Sequence, residues 1–191
     1  MSNSLDLLVM DLETGSRDKA YGEVLEIGCV YADMFDDGTY RVKGEFHSLV
    51  QPTRWERVTD EALKVNGIKR EELLKAPLSV EVRQDFNEWW TEIVGHKVTI
   101  LGQNFGMFDS HFIERFMPSL VPYMFDYHAE DTWAVARVLQ RVGILPEDLN
   151  LSLTSLTDYL GVPHRPHKAL GDAYATLNVY GKLIRLLRAG I

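Results

Sequence analysis

Residues 5–15 read Leu-Asp-Leu-Leu-Val-Met-Asp-Leu-Glu-Thr-Gly, and the fold turns on how that stretch divides. Leu5 to Met10 is a short apolar run with no helical period, which predicts a buried strand. Acids follow it. Asp11 and Glu13 stand two apart, so at the end of a strand both side chains leave the same face. Two carboxylates on one face repel unless a cation lies between them, and hard divalent cations take oxygen ligands; Mg²⁺ typically takes one or two carboxylates with phosphate and water. The competing expectation is a solvated pair in a loop, because Thr14-Gly15 follows at once and readily ends a strand.

Outward from this strand, Val24 to Tyr31 and Arg41 to Gln51 are β-rich and flank Asp36-Asp37-Gly38, a hairpin-type turn signal. Asp60 to Val65 and Lys69 to Lys75 read as short helices broken at Asn66-Gly67, and Val80 to Val94 as a longer one. In that longer helix Val82, Phe86, Trp89, Trp90 and Ile93 fall at helical spacing, so a buried face is expected over base stacking by the tryptophans. Lys97 to Leu101 is a fourth strand and Tyr127 to Glu130 a fifth, short one. Helices are expected over Asp109 to Phe116, Thr132 to Val142 with Asp131 as cap, Ser152 to Leu160 ending at Gly161, and Ala169 to Leu187. Pro118 and Pro122 stop the first of these from running on. The last carries an apolar stripe of Leu170, Ala173, Leu177, Tyr180, Ile184 and Leu187. A strand meander followed by alternating strands and helices packs as an α/β fold, a mixed sheet covered by helices.

With 191 residues, 46% hydrophobic and 25% charged, the composition is that of a globular chain, expected to form one domain over residues 1–191, and it excludes a disordered or low-complexity protein. Twenty Lys and Arg against 28 Asp and Glu give a net charge of −8. That balance argues against a protein that coats long nucleic acid with a basic face. No basic start precedes a long apolar segment and no run approaches a membrane span, so no signal peptide and no membrane partner are expected. Cys29, the single cysteine, lies in an apolar stretch and reads as a small buried hydrophobe in a reducing, cytoplasmic setting.

Three further residues carry chemistry. Asp109 stands where a helix begins and would by default be its N-cap. Asp172 falls in the first turn of the last helix, where an acid suits the dipole. His167 precedes that helix in Pro163-His164-Arg165-Pro166-His167, whose prolines hold the imidazole on a loop near Asp172. His47, His96, His111 and His128 show no partner in the sequence. A zinc pair of His164 and His167 lacks the usual third and fourth ligands.

Asp11-Leu12-Glu13-Thr14-Gly15, Asn104-Phe105-Gly106-Met107-Phe108-Asp109 and His167-Lys168-Ala169-Leu170-Gly171-Asp172-Ala173 together resemble the three motifs of the DEDDh family of 3′–5′ exonucleases. That family includes the proofreading subunit of bacterial replicative polymerase, ribonuclease T and oligoribonuclease. The likeness extends through Val24 to Gly28, Val65 to Ile68, Asp131-Thr132 and Leu153 to Gly161, from about Leu7 to Leu187. It implies a ribonuclease H-like mixed five-stranded sheet flanked by helices. It implies that Asp11, Glu13, Asp109 and Asp172 hold two divalent ions, Mg²⁺ or Mn²⁺, and that His167 is the general base, with Thr14, Asn104 and Phe108 touching substrate. Two ions about 3.5–4 Å apart serve both the attacking water and the leaving oxygen of a phosphodiester, and a histidine with a reference pKa near 6.5 takes a proton near neutral pH.

The implied activity is removal of nucleoside 5′-monophosphates from single-stranded 3′ ends of DNA or RNA, by a free nuclease or beside a larger replication or RNA-processing partner. A homodimer is one of the oligomeric states left open. Two alternatives are a catalytically silent binding or scaffold module of this fold and a small-oligonucleotide phosphodiesterase. The first motif departs from the commoner Asp-x-Glu-Thr-Thr-Gly, since Gly15 follows a single threonine and a charged segment, Ser16 to Glu23, comes next. Four acids at a metal site leave the chain gripping one end of a strand, so a shallow salt dependence of binding is expected.

Overall fold

The computed structural model describes residues 4–190. Its centre is a five-stranded mixed sheet made of β1 (Ser4–Thr14), β2 (Val24–Phe35), β3 (Tyr40–Leu49), β4 (Val98–Gly102) and β5 (Phe125–Asp131), in the order β3-β2-β1-β4-β5. β1 is antiparallel to β2 and β2 to β3, while β1–β4 and β4–β5 are parallel. The meander and the alternating half are therefore the two sides of one sheet, as the order of sequence patterns predicts. Asp36-Asp37-Gly38 makes the turn, with Gly38 at φ 74° and its N–H on Phe35 O.

β1 shows both the alternation and the double burial of a central strand. Leu8, Met10 and Leu12 pack on one face with Val82, Phe86, Trp90, Phe112 and Ile113. Leu7 and Val9 pack on the other with Ala173, Leu177 and Tyr180. Each such burial contributes roughly 1.5–3 kcal/mol, and burial on both faces is why the run lacks a polar alternate. Cys29 is fully buried beside them, as expected.

Among the described residues eight α-helices surround the sheet: α1 (Asp60–Asn66), α2 (Arg70–Leu73), α3 (Ser79–Trp89), α4 (Asp109–Phe116), α5 (Val121–Met124), α6 (Thr132–Arg141), α7 (Leu153–Leu160) and α8 (Ala169–Ala189). Their ends follow the residues the sequence offers. Thr59 Oγ1 accepts from Ala62 N–H, and Gly67 closes α1 in the left-handed region at φ 64°. Asp131 caps α6 through Trp133 N–H, and Gly161 ends α7 at φ 64°.

Four expectations are corrected. α5 was not foreseen; Pro122 sits in its first turn, where the missing N–H has no intrahelical role. α3 ends in a π-type turn, Trp90–Val94, whose extra residue rotates Ile93 out of the apolar stripe to lie over Gly44. Leu187 is likewise exposed at the end of the α8 stripe. His47 and His96 do have partners, Glu26 at 2.7 Å and Asp6 at 2.6 Å, brought across 21 and 90 residues of sequence by strand pairing.

Candidate active site

The site forms at one end of the sheet, where β1 delivers its acids. β1 continues to Thr14, so Asp11 and Glu13 are strand residues opposite Gly28 and Glu26 of β2, and the loop alternative does not apply. Gly28 then decides where α8 begins. A Cβ there would lie 2.1 Å from both Ala169 C and Leu170 N. Only a residue without a side chain lets the first turn of α8 rest on the sheet opposite Asp11. That contact carries Asp172, buried and one turn further on, to the same place.

Asp172 is held on both oxygens. Oδ2 accepts the His167 backbone N–H at 2.9 Å, and Oδ1 meets His164 Nε2. The His164 ring is almost wholly enclosed and is fixed on its other side by Thr157. Because the Thr157 hydroxyl donates to Thr154 O, its oxygen is free to accept from the ring. His167 sits at φ 67°, a left-handed conformation unusual outside glycine, which turns its N–H onto Asp172 while its side chain stays exposed. Glu13, His167 and Asp172 each present a ligand atom, all within 4.8 Å of one another.

Asp109 enters from α4. It occupies the first helical position and Phe108 the N-cap, so the cap role expected by default is not its own. The backbone N–H groups of Asp109 itself and of Leu12 lie near its carboxylate and favour its charged form. The preceding loop is set by Asn104, left-handed at φ 62°, whose N–H donates to Asp131 Oδ1 at 3.0 Å. Asp131 thus caps α6 and anchors this loop with one carboxylate oxygen.

Crowded acids hold their protons. Burial first, then Asp172 and Glu26, pushes Glu13 up to about 8, with Lys168 pulling the other way. Asp11 is raised well above the carboxylate range by burial and then by Asp109, Asp172, Glu13 and Glu26. Burial also lifts Asp109, to about 7, against the pull of those backbone N–H groups. A charge of one sign gathered in a low-dielectric site favours a bound cation, and this oxygen-rich donor set suits a hard divalent ion.

Beside the acids opens a cavity of about 340 Å³ whose lining includes Glu13, Thr14, Arg17, Asn66, Phe108 and His167. Thr14 O accepts from Asn66 Nδ2 at 3.1 Å and the Thr14 hydroxyl donates to Ser16 O, so the first motif's threonine is fixed at two points. Thr14 and Phe108 therefore face this space, whereas Asn104 lies outside its lining and acts on the loop.

Two site residues escaped the sequence reading. Glu26 is a fifth acid at the site and is buried, with Oε1 on His47 and, among the described residues, no hydrogen-bond partner for Oε2. Its signal was a carboxylate inside the apolar run Val24 to Tyr31. His164 gave none beyond its nearness to His167, since its contacts depend on how α7 meets α8.

A model of an exonuclease family, RNase_T, matches residues 8–180. The chain belongs to that exonuclease family. It is 26% identical over 183 residues to a PolC-type DNA polymerase III of Thermotoga petrophila, covering 95% of this chain and 12% of that protein. Its fold is similar to that of Exonuclease I of E. coli in a complex with a dT13 oligonucleotide, with a TM-score of 0.78, 20% identity, and coverage of 97% of this chain and 42% of the other. Exonuclease I of Methylocaldum szegediense gives a TM-score of 0.74 at 18% identity, covering 97% and 43%. The chain thus spans about an eighth of the curated relatives it matches and less than half of these solved chains. The mixed sheet flanked by helices is the fold the three motifs imply. Among the described residues no helix is long and apolar enough to cross a membrane.

Proposed function

We propose that residues 1–191 form a single exonuclease domain that hydrolyses phosphodiester bonds from the 3′ end of single-stranded DNA or RNA and releases nucleoside 5′-monophosphates. The observation that carries this reading is the convergence of Glu13, His167 and Asp172 from two distant segments, with Asp11 and Asp109 close enough to act on one another's charge, beside a cavity that Glu13 and His167 line. Its volume lies within the range of small-ligand pockets, enough for a strand's terminal nucleotide. The dT13 and dA16 oligonucleotides in the complexes of Exonuclease I support a single strand as substrate.

Asp11, Glu13, Asp109 and Asp172 would hold two divalent ions, Mg²⁺ or Mn²⁺. Held by these four carboxylates, the ions would supply activation of a water and stabilisation of the leaving oxygen. The chain's own residues do the rest. His167 takes the proton of the attacking water as general base, from an exposed position next to Glu13 and Asp172. His164 and the His167 N–H keep Asp172 from turning away. Thr14 and Phe108 border the terminal nucleotide, the first through its fixed backbone and the second through its ring, while Asn104 serves them by shaping the loop. A larger replication partner is consistent with the likeness to a polymerase, and a cytoplasmic location with the absence of a membrane-spanning helix among the described residues.

A 5′-labelled single strand incubated with the protein and Mn²⁺ tests this. A ladder shortening from the 3′ end, abolished by EDTA, is expected with DNA, RNA or both. An intact strand under every divalent ion would overturn the reading, and cleavage confined to oligomers of two to five nucleotides would transfer it to a small-oligonucleotide phosphodiesterase.

A further inference from the structure

A second cavity, of about 530 Å³, borders Gly22 and Glu23 in the segment that follows β1, and three arginines line it: Arg57, Arg83 and Arg115. Each guanidinium lies over an aromatic ring, Arg57 over Tyr21 at 5.0 Å, Arg83 over Phe116 at 5.7 Å and Arg115 over Phe112 at 5.1 Å. Two are fixed again by carbonyls: Arg83 Nη1 donates to Phe116 O at 3.3 Å and Arg115 Nη2 to Gly22 O at 2.5 Å. Among the described residues none of the three is within 4.0 Å of a carboxylate, although the chain has eight more acids than bases and Arg41 and Lys43 both find partners. Two acids share the lining; Glu23 uses Oε2 to accept Thr53 N–H, and Glu114 is exposed.

Arginines ordered in advance lose little freedom on binding, and their planar forks suit phosphate oxygens. The cavity also adjoins the active site. Glu23 O accepts Gly15 N–H at 2.7 Å, and Phe112 in its wall packs on Phe108 of the first cavity with centroids 5.0 Å apart.

We propose that Arg57, Arg83 and Arg115 form a phosphate-binding subsite beside the active site. Resting on the exonuclease reading, it would take either an internal phosphate of the strand, upstream of the bond cut, or the phosphate of a released nucleoside 5′-monophosphate.

The test reads binding in EDTA, so it does not depend on hydrolysis. Anisotropy of a labelled 12-nucleotide single strand is titrated across KCl concentrations with wild type, Arg57→Gln, Arg83→Gln and the triple glutamine variant. Displacement by a nucleoside 5′-monophosphate is measured in parallel. If the subsite takes an internal phosphate, each single variant loses about tenfold in strand affinity at low salt, and the slope of log affinity on log salt shrinks by about 0.7 per contact removed. If it takes the monoester, displacement weakens by a similar factor while strand affinity holds. Wild-type strand binding and wild-type displacement in the triple variant would overturn the proposal. Arg57 makes no side-chain hydrogen bond among the described residues, so Arg57→Gln keeps the test valid if Arg83→Gln unfolds. An unbroken strand in the degradation assay would defeat the nuclease reading alone, and an active nuclease whose variants bind as wild type would defeat the subsite alone.

Discussion

The two ends of β1 handle acidity in opposite ways. At the start of the strand Asp6 and Asp33 of β2 are matched by side-chain cations: Lys43 reaches both at 2.6 and 2.9 Å, Arg41 reaches Asp33 at 2.6 Å, and His96 and the Tyr31 hydroxyl reach Asp6. Although burial works against it, the hydrogen bonds from Lys43 and Arg41 hold the Asp33 carboxyl below its ordinary value. At the far end Asp11, Glu13, Glu26, Asp109 and Asp172 gather with no lysine or arginine within 4.0 Å among the described residues; His47 reaches Glu26 and His164 reaches Asp172, yet Asp11, Glu13 and Asp109 are pushed up. One end is complete within the chain, and the other leaves its charge to be balanced by a cation from solution.

The comparison breaks most visibly at the reaction. With the degradation assay as measurement, Asp11→Ala and Asp172→Asn are expected to lose at least about 10³-fold in rate, and His167→Ala about 10²–10⁴-fold, the usual share of a general base. Full activity of Asp11→Ala would remove the functional meaning of the crowded end. Asp33→Asn changes as many formal charges, yet it is expected to leave the rate within a few-fold of wild type.

Stability against pH sharpens the contrast. Glu13 and Asp109 rise in the folded chain from 4.5 to about 8 and from 3.8 to about 7. Between these values the folded chain binds more protons than the unfolded one, so stability falls as pH rises from about 4 through about 8. Across that window the metal-free protein is expected to lose stability steadily. Adding Mn²⁺ at pH 8 should recover most of it, with a smaller gain at pH 5, where protons compete for the same oxygens. Asp33 gives the reverse sign: its contribution is present above its ordinary value of 3.8 and is lost as pH falls below that. Thermal melts in EDTA and in Mn²⁺ at pH 5 and pH 8 measure both, and a metal-free chain as stable at pH 8 as at pH 5 would contradict the crowding.

Gly28 is the third point of leverage, because it sets the contact on which the crowded end depends. Gly28→Ala would drive a methyl group into the Ala169–Leu170 backbone. A cost of about 1–3 kcal/mol is expected, with loss of activity beyond what the stability change explains, since α8 carries Asp172. Gly143→Ala makes no such contact within 4 Å, but its φ of 79° adds strain of its own. Gly106, with open space and no positive φ, is the cleaner control. A Gly28→Ala chain that melts and cuts like Gly106→Ala would show that the close approach is not required.

These effects also mark what the sequence could disclose. Strand existence, helix limits and the pairing of Asp11 with Glu13 on one face depend on local period and on caps such as Thr59, Asp131 and Gly161. All of these are written within a few residues. The partners of His47, His96 and His164 are decided by strand register and by how α7 meets α8, which no local spacing encodes. The π-type turn after α3 is similar, since one added residue redirected Ile93 while the apolar spacing still fitted a regular helix. The three motifs located the acids because family likeness carries tertiary information that periodicity lacks. They said nothing of Glu26, whose carboxylate stands out in the apolar run Val24 to Tyr31 but joins the site only through the register that sets it against Glu13.

The smallest expected effect tests the complete end directly. Lys43→Met removes the cation shared by Asp6 and Asp33 and the contact of Nζ with the Tyr31 ring at 4.0 Å. Asp33 keeps Arg41, and Asp6 keeps Tyr31 and His96, so no carboxylate is left wholly alone. The side chain is 28% exposed, and the methionine retains the packing of its stem. The expected loss is therefore only about 1 kcal/mol, smaller in high salt, and it shrinks as pH falls through the lowered value of Asp33. Melts at pH 7 in low and high salt and again at pH 3 read this out, and the Mn²⁺ dependence measured in the degradation assay should not move. A shifted Mn²⁺ requirement would mean that the two ends of β1 are electrostatically continuous, and that the cation at one end helps set the affinity for the cation at the other.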